Sequence, residues 1–269
     1  MPDAPRSANF DRPPVVETSL KLQFSPLAEF RFAHFGLFLE QCLGAGWQVG
    51  ADADAEAQEY ERFGVKSLFP GVKADMVSPP YQVRFVHGGG RVVSFQPDKL
   101  KLSWVRKDDQ EPRYSEMRDQ LVRVFGALQA FADRYSLGTP KANLWEISYV
   151  NAIPSGELWT TLADWSKVLP GLFPTEGPKV PNHPWSTYVG EWYLEMPNQT
   201  GRVRARAQKV IANPAETTAL LLVISARGEL PDDVAENWQA RLDLGHESAA
   251  TVFRSLASPT ALTHWGLRA

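Results

Sequence analysis

One succession of hydrophobic patterns runs through this chain twice, and it limits what the chain can fold into. Residues 14–138 read as strand, helix, three strands and a long helix, and residues 140–258 repeat that order. The repeat lies in the order of elements, since the residues of the two halves are not obviously alike. Val15 to Phe24 alternates from Leu20 onward, with Leu20, Leu22 and Phe24 on one face and Lys21 and Gln23 on the other. Tyr81, Val83 and Phe85 alternate likewise before Gly88-Gly89-Gly90, and Val93 and Phe95 after it. Pairing Val83 with Phe95 and Phe85 with Val93 makes a hairpin around the glycines. A third strand carries Leu100, Leu102 and Trp104 on one side.

The helices are read from the 3.6-residue period. Tyr114, Met117, Leu121, Val124, Phe125, Leu128, Ala132 and Tyr135 form one stripe, ended by Gly138 and Pro140. Trp238, Leu242, Gly245, Ala249, Val252 and Leu256 form another, with a start expected at Asp232 or Asp233 and Glu236 in capping-box position. Further helices are expected over Leu27–Leu43, apolar almost all round and so buried, and over the segment from Gly156 to Phe173. A short exposed acidic helix is expected over Asp52–Phe63. In the second half the strands are expected at Leu144–Ile153, Tyr188–Met196, Arg202–Ile211 and Thr218–Ala226.

The expected fold is therefore α+β. It is a tandem duplication of a β-α-β-β-β-α unit, with long helices covering an antiparallel half-barrel or saddle-like sheet. Residues 1–13 are expected to be a flexible arm, 14–138 the first lobe, 140–258 the second, and 259–269 a tail. Joining the two sheets edge to edge would leave fewer free strand edges.

Composition excludes several function classes. The chain has 269 residues, a 43% apolar fraction and a formal net charge of -3. That balance disfavours sequence-independent nucleic-acid binding, which needs a basic excess. One cysteine, Cys42, makes no internal disulfide, which fits a reducing compartment, and burial would leave it inert. The proline-rich N-terminus lacks the apolar run of a signal peptide, and no apolar stretch approaches membrane-spanning length. The expected location is the cytoplasm, without membrane attachment.

Several constellations are candidate sites. Arg202, Arg204 and Arg206 alternate on one strand, about 7 Å apart, and guanidinium forks suit phosphate. The competing and stronger reading places Glu191, Tyr193 and Glu195 beside them as cross-strand partners. Asp243, His246 and Glu247 could serve a hydrolase as an acid/base group, but they lack the two-histidine spacing of a zinc helix. No metal or cofactor is expected. Gly88–Gly90 precedes a strand, so it reads as a turn and not as a phosphate loop. The second half is rich in tryptophan, and Trp185, Trp192, Tyr193, Trp238 and His246 are the candidate lining of a ligand or partner groove. No nucleophile elbow, Walker loop, dinucleotide fingerprint or His-Glu-x-x-His occurs.

Three segments carry a resemblance. They are PPVVETSLKLQFSPL at Pro13–Leu27, EISYVNAI at Glu146–Ile153, and LDLGHESAATVFRSL at Leu242–Leu256 followed by Trp265-Gly266. In their order they resemble an uncharacterised bacterial family distributed sporadically among genomes. Its marks are a PPVVE strand, a central Tyr-x-Asn strand and a Leu-Asp-x-x-His helix. The resemblance implies carriage with mobile or defence gene clusters, and it brings no catalytic residues to transfer. The functional expectation is a non-catalytic binding or regulatory module, an accessory of a bacterial defence or toxin–antitoxin locus, that recognises a protein partner or a small ligand. The alternatives are a nucleic-acid-associated protein using the arginine strand and a hydrolase using Asp243, His246 and Glu247.

Overall fold

A computed structural model describes residues 10–51, 53–59, 81–107, 112–173, 187–212, 217–233 and 235–268. It is α+β, built on a nine-stranded antiparallel sheet. In chain order the main elements begin with β1 (Val15–Phe24), α1 (Ala33–Phe38), β2 (Gln48–Val49), β3 (Val83–His87), β4 (Arg91–Gln96), β5 (Lys99–Val105) and α2 (Tyr114–Arg134). They continue with β6 (Ala142–Pro154), α3 (Trp165–Val168), β7 (Val189–Glu195), β8 (Arg202–Ala212), β9 (Thr217–Glu229), α4 (Trp238–Leu256) and α5 (Pro259–His264). The strand order is β2-β3-β4-β5-β1-β6-β9-β8-β7. β1 and β6 pair in the middle, with Lys21 opposite Glu146 and Leu22 opposite Trp145.

The two faces of the sheet differ in chemistry because strand side chains alternate. One face carries Leu20, Leu22, Phe85, Phe95, Leu100, Leu102, Trp104, Trp145 and Ile147, all almost fully buried. α2 and α4 cover it. Phe125 of α2 lies 5.8 Å from both Phe24 and Trp238, ring centre to ring centre. α4 reaches the sheet at Gly245, where a Cβ would collide with the Trp145 ring at 2.2 Å. The helices thus seal a single core, and the polar side chains of the strands are left on the other face.

The β3–β4 hairpin has the expected register, Val83 opposite Phe95 and Phe85 opposite Val93, with Gly89 and Gly90 at positive φ in the turn. The shorter helices depart from expectation. Leu27–Leu43 is helical only from Ala33 to Phe38, with a wider turn over Leu39–Leu43, and Phe32 is 66% exposed. Its start is delayed because Leu27 N–H donates to the Pro97 carbonyl, and the Arg31 guanidinium holds the carbonyls of Ala28 and Phe30. Between Gly156 and Phe173 only a 3-10 turn and one α-helical turn form. Trp159 Nε1 donates to the Ile153 carbonyl and fixes a tight loop there, so helix begins only after Thr161, whose N–H the Asp164 carboxylate accepts. α4 begins at Trp238 after a 3-10 turn at Ala235–Asn237, not at Asp232 or Asp233. Asp232 instead pairs with Lys141 at 2.8 Å.

Residues 54–59 of the expected acidic helix are not helical, while Asp52 and residues 60–63 lie outside the described residues. At the termini, Phe10 bridges Leu267, and Asp11 and Arg12 donate to the carbonyls of Gly266 and Trp265. Residues 10–12 of the expected arm are therefore tied to the expected tail. That tail forms α5, capped by Ser258, whose hydroxyl accepts from Ala261 N–H.

Candidate functional site

The polar face is arranged in rows by strand register. One row reads Lys101, Lys21, Glu146, Arg227, Arg202, Glu195 across β5, β1, β6, β9, β8 and β7. The next reads Ser103, Ser19, Ser148, Ser225, Arg204, Tyr193. Four serines in succession lie beside the charged row, Ser19 and Ser103 of them buried, and the Ser148 and Ser225 hydroxyls share a 2.8 Å hydrogen bond.

Lys21 is the hub of the charged row. Its side chain is 7% exposed, and it pairs with Glu59 at 2.5 Å and Glu146 at 3.2 Å. Burial pulls this ammonium down, but the carboxylates of Glu146, Glu59 and Glu56 outweigh it and hold the group above its ordinary range. Burial pushes Glu59 up, but Lys21 and Arg227 overcome it and hold the carboxylate below the usual range. Lys99 is lowered by burial.

Residues 53–59 cross this face. Gln96 accepts from Glu56 N–H at 3.1 Å and donates to the Glu56 carbonyl at 2.9 Å. Gln23 does the same for Glu59, at 2.8 Å and 3.1 Å. Lys99 Nζ donates to the carbonyls of Glu56 and Ala57. Main-chain groups normally satisfied inside a helix or ladder are satisfied here by side chains from the sheet, which is why no helix forms. Past Glu59 lies a polar recess of about 80 Å³ lined by Glu59, Glu146, Tyr193, Arg202, Arg204, Ser225 and Arg227.

The arginine strand borders this recess. Arg204 pairs with Glu191, Arg202 lies 4.9 Å from the Tyr193 ring centre, and Arg206 donates to Gln208 at 3.1 Å. Burial and the hydrogen bond to Glu191 raise Tyr193. Arg204 and Arg202 line the recess, and Arg206 lies outside its lining.

On the helix face, His246 and Asp243 join a separate network between α2, α4 and β6. The Tyr114 ring stacks on His246 at 4.0 Å with an interplanar angle of 9°. Tyr114 Oη donates to Asp243 at 2.7 Å, the Arg118 guanidinium forms an ion pair with the same carboxylate at 2.7 Å, and Tyr149 Oη lies 2.6 Å from His246 Nδ1. Burial pulls His246 down to about 4 against the pull of Asp243. Burial and the Asp243 hydrogen bond raise Tyr114. Glu247 is exposed, and no hydrogen bond or ion pair among the described residues brings it into this network. Arg118 and Tyr114 take the place that sequence spacing assigned to it.

The expected aromatic groove is not one surface. Trp185 lies outside the described residues. Trp192 is half-buried against Phe173 on the helix side of β7, and Trp238 is core at 6% exposure. Tyr193 points from the opposite face of β7 and is 44% exposed. His246 sits in the α2–α4 network. Sequence reasoning missed Lys21, Gln23, Gln96, Lys99 and Glu59. The available signal was the run of polar residues at the outward positions of β1, β4 and β5, which lie in the middle of the sheet.

No family model and no curated protein matches the chain. Among solved structures, DynU16, a protein of the dynemicin biosynthetic locus, is similar at 13% identity with a TM-score of 0.24. The match covers 88% of this chain and 97% of that one. A likeness at that level carries no argument about fold or function. No helix among the described residues is long and apolar enough to cross a membrane.

Proposed function

We propose that this chain is a non-catalytic binding module that engages a protein partner or small ligand through the polar face of its sheet. The observation that carries this is the recess at the end of the charged row, where Arg202, Arg204 and Arg227 stand with Tyr193 and Ser225 beside two carboxylates. Convergent polar groups in a concavity are what fix a ligand's orientation. The helix-side network supports this reading by default. His246, held down to about 4, is neutral near pH 7 and a poor base, and Asp243 is committed to Tyr114 and Arg118. The pairing of Arg204 with Glu191 favours sheet stabilisation over nucleic-acid contact.

The duplicated architecture belongs to the same proposal. A strand order that runs β5-β4-β3 outward from β1 and β9-β8-β7 outward from β6 supports a doubled β-α-β-β-β-α unit, curved as a half-barrel or saddle. Kinship with the sporadically distributed family, and an accessory role in a cytoplasmic defence or toxin–antitoxin locus, rest on the three motifs.

The test is an amide-resonance screen of the intact protein against carboxylate, phosphate and neutral aromatic fragments. Shifts centred on Tyr193, Arg204, Ser225 and Arg227 are expected. Shifts confined to Tyr114, Tyr149 and His246 would replace this reading with the hydrolase one.

A further inference from the structure

We infer that the polar sheet face is a docking groove for an extended acidic segment of a partner protein, and that residues 54–59 are its resident occupant. The inference rests on the proposed use of this face and names what it takes.

The receptor side consists of buried polar groups. Gln23 and Gln96 are each 1% exposed and Lys99 is 2% exposed. Without the crossing segment they would keep only their sheet-side partners, Asn143 for Gln23 and Gln82 and Asp98 for Gln96, and would exchange the main-chain contacts for water. What they hold in the occupant is almost all main chain: the N–H and C=O of Glu56, the N–H and C=O of Glu59, and the C=O of Ala57. Such contacts demand an extended polypeptide but do not specify its sequence. A carboxamide fork matches the donor and acceptor of a peptide unit, whereas a phosphodiester backbone offers acceptors and no N–H. The groove therefore fits a peptide better than a nucleic acid.

The charge of the occupant is set chiefly at Glu59, with the Glu56 carboxylate a second, more distant partner of Lys21 at 3.9 Å. Glu59 is the residue whose side chain is gripped, by Lys21 and by Arg227 at 2.9 Å. Any extended segment with a carboxylate there would meet the same partners. The crossing runs from Gln96 on β4 to Gln23 on β1, and Glu59 then forms one wall of the recess at Arg202, Arg204, Tyr193 and Ser225. A longer acidic peptide would reach those groups with its next residues. The resident segment lies on the outside of the sheet, with Asp54, Glu56 and Ala57 exposed, so it can leave without unpacking the core.

The experiment uses an amidated peptide with the sequence of residues 53–59, Ala-Asp-Ala-Glu-Ala-Gln-Glu, carrying fluorescein on its N-terminal amine. It is titrated by anisotropy into the full chain and into Glu59→Gln, which weakens the resident occupant. Binding at least tenfold tighter to Glu59→Gln is expected, with at least fivefold weakening when the peptide's last Glu is changed to Gln. Equal affinity for both proteins would overturn the inference. So would absence of peptide binding while fragments still shift the recess resonances, and that result would leave the proposed function standing. If neither binds, both fall. Should Glu59→Gln fail to melt cooperatively, hydrogen exchange on the unaltered chain decides. Saturating unlabelled peptide should speed exchange of the Glu56 and Glu59 amides at least fivefold, and unchanged exchange would overturn the inference.

Discussion

Tyr114 opens α2 and lies flat on His246 of α4, their ring centres 4.0 Å apart. The contact joins the long helix of the first half of the chain to that of the second, above the β1–β6 seam. Its electrostatics are one-sided. Asp243 favours the imidazolium, but burial wins and the ring stays neutral.

Stability should therefore fall with acid in a defined window. The folded pKa of His246, about 4, lies below the unfolded value of 6.5, so the unfolded chain binds more protons between the two. This contribution is complete above about 6.5 and is lost as pH falls toward 4. Urea unfolding at pH 7.5 and 4.5 should show His246→Gln losing less stability than the unaltered chain, by on the order of 2 kcal/mol. Equal losses would mean that the ring is not buried neutral.

Gly245→Ala should destabilise, although alanine is the better helix former by about 1 kcal/mol. The new Cβ would sit 2.2 Å from the Trp145 ring, which is fully buried and has no room to move. Overpacking of that kind costs about 1–3 kcal/mol, and the net effect should be a lower melting temperature. A raised melting temperature would show that α4 stands further from the sheet.

Lys21→Met should be costly because it sets an apolar side chain against Glu146 and Glu59 and leaves Arg227 as the cation still paired with both. Removing one partner of a buried ion pair costs about 3–5 kcal/mol, and the partial exposure of Glu59 and Glu146 places this case at or below the lower end. The double variant Lys21→Met/Glu146→Gln should regain part of the loss in chemical denaturation. Full additivity would mean that the two side chains do not interact.

Cys42 should be slow to alkylate. Burial pushes its thiol up to about 11, and the thiol contacts the Ala127 carbonyl at 3.7 Å. Against an ordinary thiol, the thiolate at pH 8 is about 100-fold scarcer. Iodoacetamide labelling followed by mass spectrometry should lag a cysteine peptide by at least tenfold in the folded state and match it in urea.

The strands and the two long helices were legible because burial on one face imposes a period, and the period is written in neighbouring residues. Leu20, Leu22 and Phe24 marked β1, and the stripe from Tyr114 to Ala132 marked α2. The short helices misled for a related reason. Leu27–Leu43 and the segment around Trp165 are rich in apolar residues, but there long-range hydrogen bonds to Pro97 and Ile153 decide the backbone. The aromatic groove failed because Trp192 and Tyr193 are adjacent in sequence, and adjacency in a strand places side chains on opposite faces.

By itself, the sequence determined which stretches alternate, which carry helical stripes and how the β3–β4 hairpin pairs, since each depends on residues a few positions apart. The tertiary structure alone decided that β1 joins β6, that Gln23 and Gln96 hold residues 36 and 40 positions away, and that Tyr114 and Tyr149 flank His246. Contacts of that kind form only after distant segments are brought together by core burial. A single polar side chain that meets a distant main chain leaves no periodic trace in the residues around it.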